Sequence, residues 1–175
     1  MRLRRRAIVV ALAGLFLAAG LDPSPAAAAP WEIGIYQFDK CLEVQGANKN
    51  NSAQVQLWDC DGSKAHRRWY MEEVQSGWWH IWNANSGKCL NVQGGSTKES
   101  AKVIQYTCQG VDKFNDQWQL SGPIGSGGNG DLYWIVNRKS NLCLDAQGAS
   151  SANGTDLIQY TCWGHWNQLF TWWPA

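Results

Sequence analysis

Beyond residue 29 the chain has no apolar run long enough to cross a bilayer, no stretch with the 3.6-residue period of a helix and no basic patch. The first absence excludes a membrane span in the remaining chain, and the second excludes a helical fold. Charge excludes more. Four of the 15 Lys and Arg and one of the 14 Asp and Glu precede residue 30, which leaves 11 against 13, a net of −2. That balance carries no electrostatic footprint for nucleic acid and none for an anionic membrane surface. No C-x-x-C occurs, and His66, His80 and His165 are not spaced as zinc ligands, so no metal or other cofactor is expected. G-x-S-x-G and H-E-x-x-H are also missing. Gly125-x-Gly127-x-x-Gly130 spells a dinucleotide fingerprint, but it lacks the βαβ setting that gives the motif its chemistry and reads as a flexible loop. Glu72, Glu73 and Asp131 read as solvated charges rather than a glycosidase pair, and no enzyme activity is expected.

The N-terminus has a different character. Arg2, Arg4, Arg5 and Arg6 form a positive head, Ala7–Leu21 is apolar, and Ala26–Ala29 offers small-residue cleavage sites. Residues 1–29 read as a secretory signal peptide; the alternative, an uncleaved anchor, has too short an apolar run. Residues 30–175 then suffice for one domain with a real core. Six Cys behind an export signal point to a secreted, extracellular protein with disulfides. Aromatic usage is skewed to Trp, with 12 against 5 Tyr and 4 Phe, as where broad flat faces or large core plugs are wanted.

Three ungapped segments repeat: CLEVQGANKNNSAQVQLWDC from Cys41, CLNVQGGSTKESAKVIQYTC from Cys89, and CLDAQGASSANGTDLIQYTC from Cys143. Each opens Cys-Leu, carries Gln-Gly at its fifth and sixth places and closes aromatic-x-Cys. Two Cys at a fixed spacing in every copy pair most simply within the copy, as Cys41–Cys60, Cys89–Cys108 and Cys143–Cys162. Alternating residues at 79–83, 103–107 and 132–136 read as strands, and Ala47–Ser52, Ala149–Thr155 and Asn153-Gly154 as turns. About four strands per copy, over about 31–73, 78–121 and 131–173, predict an all-β body of three repeats that must close on one another. An Ile precedes the opening Cys by eight residues in two copies (Ile81, Ile135) and by six in the first (Ile35), which predicts a first hairpin two residues shorter. Gly122–Gly130 reads as the loosest stretch, joining copies two and three.

These marks, with the terminal Asn167-Gln168-Leu169-Phe170, resemble ricin-B-type lectin domains, the carbohydrate-binding modules appended to many secreted bacterial glycoside hydrolases. Copy two departs from the last mark with Asn115-Asp116-Gln117-Trp118, and copy one keeps only the aromatic in His66-Arg67-Arg68-Trp69. The resemblance covers about residues 35–175 and implies a β-trefoil. It assigns Trp69, Trp118 and Phe170 to the core, together with Leu42, Leu90 and Leu144. Gly46, Gly94 and Gly148 read as turn residues with unusual backbone angles.

A pyranose offers a C–H face that packs on a ring, and hydroxyls that need carboxylate and amide partners. Each copy supplies candidates: an acceptor third in the repeat (Glu43, Asn91, Asp145), a ring two before the closing Cys (Trp58, Tyr106, Tyr160), and a third group three before the last aromatic (His66, Asn115, Asn167). By resemblance the third copy is the complete site: Asp145 accepts from vicinal hydroxyls, Tyr160 stacks, Asn167 completes the contacts and Gln168 supports from behind. Asn91 weakens copy two. Copy one keeps a carboxylate and Trp58, with Gln56 nearby, but has His66 for the amide. Trp163 and Trp166 widen the platform of copy three, or belong to core or a loop lid; Trp78, Trp79, Trp172 and Trp173 divide between core and chain closure. One such site predicts a Kd of about 1 mM, gaining by avidity on a polymer. The partner expected is a glycan, galactose-type or xylan-type, with neither nucleic acid nor membrane insertion. A protein-binding trefoil or hydrolase inhibitor with degenerate sugar sites is the alternative, because fold alone does not choose. Oligomeric state is open.

Overall fold

The computed structural model describes residues 29–128 and 130–175, so the signal peptide read over 1–29 lies, except for Ala29, outside the described residues. Among these residues twelve strands run in three sets of four. The first set is β1 (Trp31–Ile35), β2 (Lys40–Val44), β3 (Val55–Asp59) and β4 (Trp69–Gln75). The second is β5 (Trp78–Asn83), β6 (Cys89–Val92), β7 (Val103–Tyr106) and β8 (Gln117–Gly127). The third is β9 (Gly130–Asn137), β10 (Cys143–Ala146), β11 (Leu157–Tyr160) and β12 (Phe170–Pro174). Among the described residues the only helical segments are six single 3-10 turns of three residues each.

Six strands form a ring. The antiparallel pairs β1–β4, β4–β5, β5–β8, β8–β9, β9–β12 and β12–β1 close it without an edge. The pairs β2–β3, β6–β7 and β10–β11 form three further hairpins, one per repeat. Single bridges Gln54↔Ile104, Gln56↔Asp156 and Lys102↔Ile158 stitch these hairpins together about the pseudo-threefold axis. This is a β-trefoil.

The core repeats as the sequence does. Leu42, Leu90 and Leu144 are fully buried, as are Trp69, Trp118 and Phe170. Each such side chain contributes about 1.5–3 kcal/mol of transfer free energy. A buried indole also needs an acceptor. Trp69 Nε1 donates to Leu42 O (3.0 Å) and Trp118 Nε1 to Leu90 O (2.9 Å), while Phe170 carries no such requirement. The three disulfides pair within repeats, each over a separation of 19 residues. Closing loops of that size confers about 3 kcal/mol each in the chain-entropy model. Gly46, Gly94 and Gly148 have φ of 60°, 63° and 67°, the left-handed turn that follows each opening strand. The tryptophans near the seam behave as closure contacts. Trp173 lies over Gly34, where a Cβ would come within 2.3 Å of its ring, and its Nε1 donates to Glu32 Oε2 at 3.1 Å.

Two expectations need correction. Gly122–Gly130 is mostly strand rather than a loose connector: β8 reaches Gly127, with Gly125 opposite Leu132 and Ser126 opposite Asp131, after an irregularity between Ser121 and Gly125. Pairing with β9 overrides the poor strand propensity of glycine. The first hairpin is not shortened either. Gly34, Trp82 and Val136 face Cys41, Cys89 and Cys143, all seven residues ahead. The structural counterpart of Ile81 and Ile135 is therefore Ile33, eight before Cys41, whereas Ile35 takes the place of Asn83 and Asn137.

Side-chain amides lock the repeats to each other. Gln54 Nε2 lies within 2.8, 3.0 and 3.1 Å of the carbonyls of Val55, Val103 and Leu157, one from each repeat. Gln105 donates to the carbonyls of Asn48 and Asn50, and Gln159 to those of Ser96 and Lys98, so each ties its hairpin to the preceding repeat. Replacing Gln54 by Ala removes both amide N–H donors from these inward carbonyls, and a loss of about 1–3 kcal/mol is expected. Urea unfolding checks this: the midpoint should fall with the slope unchanged.

Candidate functional site

Strand register builds the site. Along β10, Leu144 and Ala146 point into the core, so Asp145 points to the opposite face. Asp145 pairs with Ile158 of β11, and Tyr160, two residues on, shares that face. Asp145, Ile158 and Tyr160 thus line one cavity of about 600 Å³. The 3-10 turn Trp166–Gln168 brings in the amides. Asn167 Nδ2 and Gln168 Nε2 both donate to Asp145 Oδ2, at 2.9 and 2.8 Å. No hydrogen bond from the described residues falls on Oδ1.

Gln168 also donates to Thr161 O and accepts from the Trp163 N–H, both at 2.8 Å, and is 1% exposed. Its hydrogen-bonding groups are engaged within the protein. Tyr160 is half-buried, with a face on the cavity, whereas Trp163 stands on its rim at 63% exposure. Trp166 packs against the core and against Phe38 of repeat one, ring centroids 4.6 Å apart. Asp145 is 5% exposed. Burial pushes its carboxyl above the ordinary Asp range, against the opposing pull of Gln168, Asn167 and His165.

Repeat two places the same positions together with different chemistry. Asn91, Tyr106 and Asn115 line a cavity of about 300 Å³. Asn115 Nδ2 donates to Asn91 Oδ1 at 3.2 Å. Asp116 stands where repeat three has Gln168, and its Oδ2 accepts the Gln109 N–H at 2.7 Å. Being one methylene shorter, it makes no hydrogen bond to Asn91.

In repeat one both oxygens of Glu43 are taken. Arg67 Nε donates to Oε2 at 2.5 Å and Gln56 Nε2 to Oε1 at 3.0 Å, with His66 Nε2 3.4 Å from Oε2. Arg67 is anchored in turn on Asp59 O. Burial lowers the His66 pKa; Glu43 opposes that shift and Arg67 adds to it. Trp58 is half-buried. Three residues near these sites were not singled out from the sequence: Arg67, Lys113 and Lys139. Lys139 comes from the following repeat, four positions before Cys143. Its equivalent, Asn85, reaches over repeat one to Ala47 O.

Residues 27–110 and 114–174 match the family described as ricin-type beta-trefoil lectin domain-like. The chain belongs to that family. Among solved structures, the designed threefold-symmetric protein ThreeFoil is 30% identical at a TM-score of 0.74, the match covering 82% of this chain and 96% of that one. An exo-β-1,3-galactanase from Clostridium thermocellum is 24% identical at a TM-score of 0.75, over 86% of this chain and 31% of the enzyme. The C-half of an earthworm R-type lectin, solved with GalNAc, is 16% identical at a TM-score of 0.66, over 85% of this chain and all of that one. Comparison with curated proteins gives no match.

The raised pKa of Asp145 has a stability consequence. Between the ordinary Asp value and the raised one, the folded state holds a proton that the unfolded state has lost. Stability from this group is therefore full below the unfolded pKa and is lost as pH rises through the folded value. Asp145→Asn should remove that component, so the stability difference between wild type and variant should shift against wild type as pH rises across this window. Denaturant unfolding of both proteins at a series of pH values measures it.

Proposed function

We propose that the protein is a secreted lectin whose principal site is the repeat-three cavity. The carrying observation is that Asp145 and Tyr160 share one cavity while Asn167 and Gln168 fix the carboxylate through a single oxygen. Asp145 then accepts from two adjacent hydroxyls of a pyranose, with Oδ1 as the open acceptor. Tyr160 packs on the C–H face, Asn167 completes the hydroxyl contacts, and Gln168 holds the carboxylate in place. Trp163, exposed on the rim, offers a second aromatic face to the next sugar along a chain. The site therefore suits an oligosaccharide, galactose-type or xylan-type, better than a single ring. In this reading repeat one adds little: Glu43, Trp58 and Gln56 are its candidates, but the carboxylate is committed to Arg67 and Gln56. The role is binding rather than turnover. Three disulfides and the leader-like sequence of residues 1–29 support an extracellular location.

A glycan array with wild type and Asp145→Ala tests this. Wild type should bind at least one neutral glycan class, and the variant should lose about tenfold or more in affinity, as for loss of a charge-assisted hydrogen-bond acceptor. Glycan binding indifferent to the change would remove the site; no binding to any glycan would favour the protein-binding alternative. Because the ionised carboxylate is the acceptor, affinity should also weaken as pH falls through the raised Asp145 pKa. Titration calorimetry across that range, with Tyr160→Ala as the ring control, reads the effect.

A further inference from the structure

The repeat-two cavity differs from that of repeat three in the sign of its chemistry. Where repeat three places a carboxylate, it places Asn91, which is 2% exposed. Asn91 Oδ1 is occupied by Asn115, but Nδ2 has no hydrogen-bond partner among the described residues. Asn91 lines the cavity, and a buried donor left unpartnered beside it is an unfilled demand for an acceptor. The carboxylate next to Asn115 faces elsewhere: Asp116 is fully buried, receives Gln109 N on Oδ2, and has Oδ1 3.4 Å from His80 Nε2.

Cations supply the rest. Lys113 and Lys139 both line the cavity, and among the described residues no Asp or Glu does. Lys113 lies 3.5 Å from Asp112, but both side chains are exposed, so the pair is weak and yields to a ligand. Lys139 has no ion pair among the described residues. Its ammonium sits against the backbone at Gly95. At Gly95 an added Cβ would come within 2.6 Å of Lys139 Nζ and 3.6 Å of Asn115 Cγ. The other two repeats carry Ala47 and Ala149 at this place, with the same left-handed φ of 53° and 50° against 60° for Gly95. Conformation alone therefore does not require the glycine; the Lys139 ammonium occupies the space that a side chain there would fill.

We infer that the repeat-two cavity binds an anionic saccharide, one bearing a carboxylate or a sulfate. Its anionic oxygens accept from Asn91 Nδ2 and the two ammonium groups, and its ring packs against Tyr106. A neutral pyranose finds no charged acceptor there for its hydroxyls. At about half the volume of the repeat-three cavity, the pocket suits one ring. This inference rests on the carbohydrate-binding reading and adds a second ligand class to it.

The test uses the full chain and oligosaccharides of one backbone in neutral, uronate-bearing and sulfated forms, with affinities measured by calorimetry. In Asp145→Ala, binding of an acidic form should persist while neutral binding is lost. Adding Lys139→Ala or Lys113→Ala should weaken acidic binding about tenfold or more, as expected for a charge-assisted contact. The preferred form tells carboxylate from sulfate. Gly95→Ala, whose backbone Ala47 and Ala149 show to be accessible, should displace Lys139 and lower acidic affinity in the same background. Acidic binding that disappears with Asp145→Ala, or that ignores both lysine changes, overturns the inference. Neutral binding at repeat three with no acidic binding at all overturns it while leaving the lectin reading intact; absence of both removes the two together.

Discussion

Closure of the six-strand ring is the constraint on which everything else rests. A single repeat has one apolar face made of residues such as Leu90, Ile81 and Trp118, and no means of covering it alone. The five-residue pairing of β1 with β12 joins the first repeat to the last and seals that core. Once the ring is closed, the three outer hairpins have fixed places. The Gln54 amide lies against one carbonyl from each and holds them at the axis. The cavities inherit their position from this arrangement. Each is built on an outer hairpin and the 3-10 turn after it, and the repeat-two cavity also takes Lys139 from the next repeat.

The same scaffold gives one position three electrostatic fates. Asp145 is held by two amides and keeps an oxygen free of them. Asn91 keeps a free donor. Glu43 is neutralised by Arg67. In each case the residue two before the last aromatic decides the outcome: Gln168 reaches the carboxylate as a neutral donor, Asp116 falls short of Asn91, and Arg67 takes Glu43 as an ion partner. Threefold repetition of the backbone thus preserves the fold while leaving the chemistry of each copy free to diverge. Fold stability depends on Leu42, Leu90 and Leu144, whose layer stays apolar in all three repeats, and the sites do not disturb it.

Much of this was legible beforehand because the repeat exposes its own constraints. Equal Cys spacing identified the three disulfides, and recurrence of Cys-Leu and of the final aromatic identified core residues. The register of the first hairpin is hidden in the sequence because Ile33 and Ile35 are both apolar, and only the pairing of Gly34 with Cys41 distinguishes them. Gly122–Gly130 looked unstructured because glycine weakens a strand, while the partner strand that rescues it lies beyond the next turn. Within the sites, Asp145, Tyr160, Asn167 and Gln168 all lie within one repeat, at places that the repeat alignment and the family resemblance bring into view. Lys139 reaches its cavity from a different repeat, and Arg67 acts by a choice of partner. Neither relation is carried by local pattern.

Joining β1 to β12 also puts the two ends of the described fold side by side, with Ala175 N–H donating to Pro30 O at 3.1 Å. The ring therefore has no mechanically privileged starting point. Cutting it at the tight β4–β5 turn and bridging residues 30 and 175 with a short link would preserve the strand neighbours around the barrel. Any polypeptide joined directly at residue 30 or residue 175 leaves from a single spot, so a cargo tethered there pivots about one anchor instead of spanning the body.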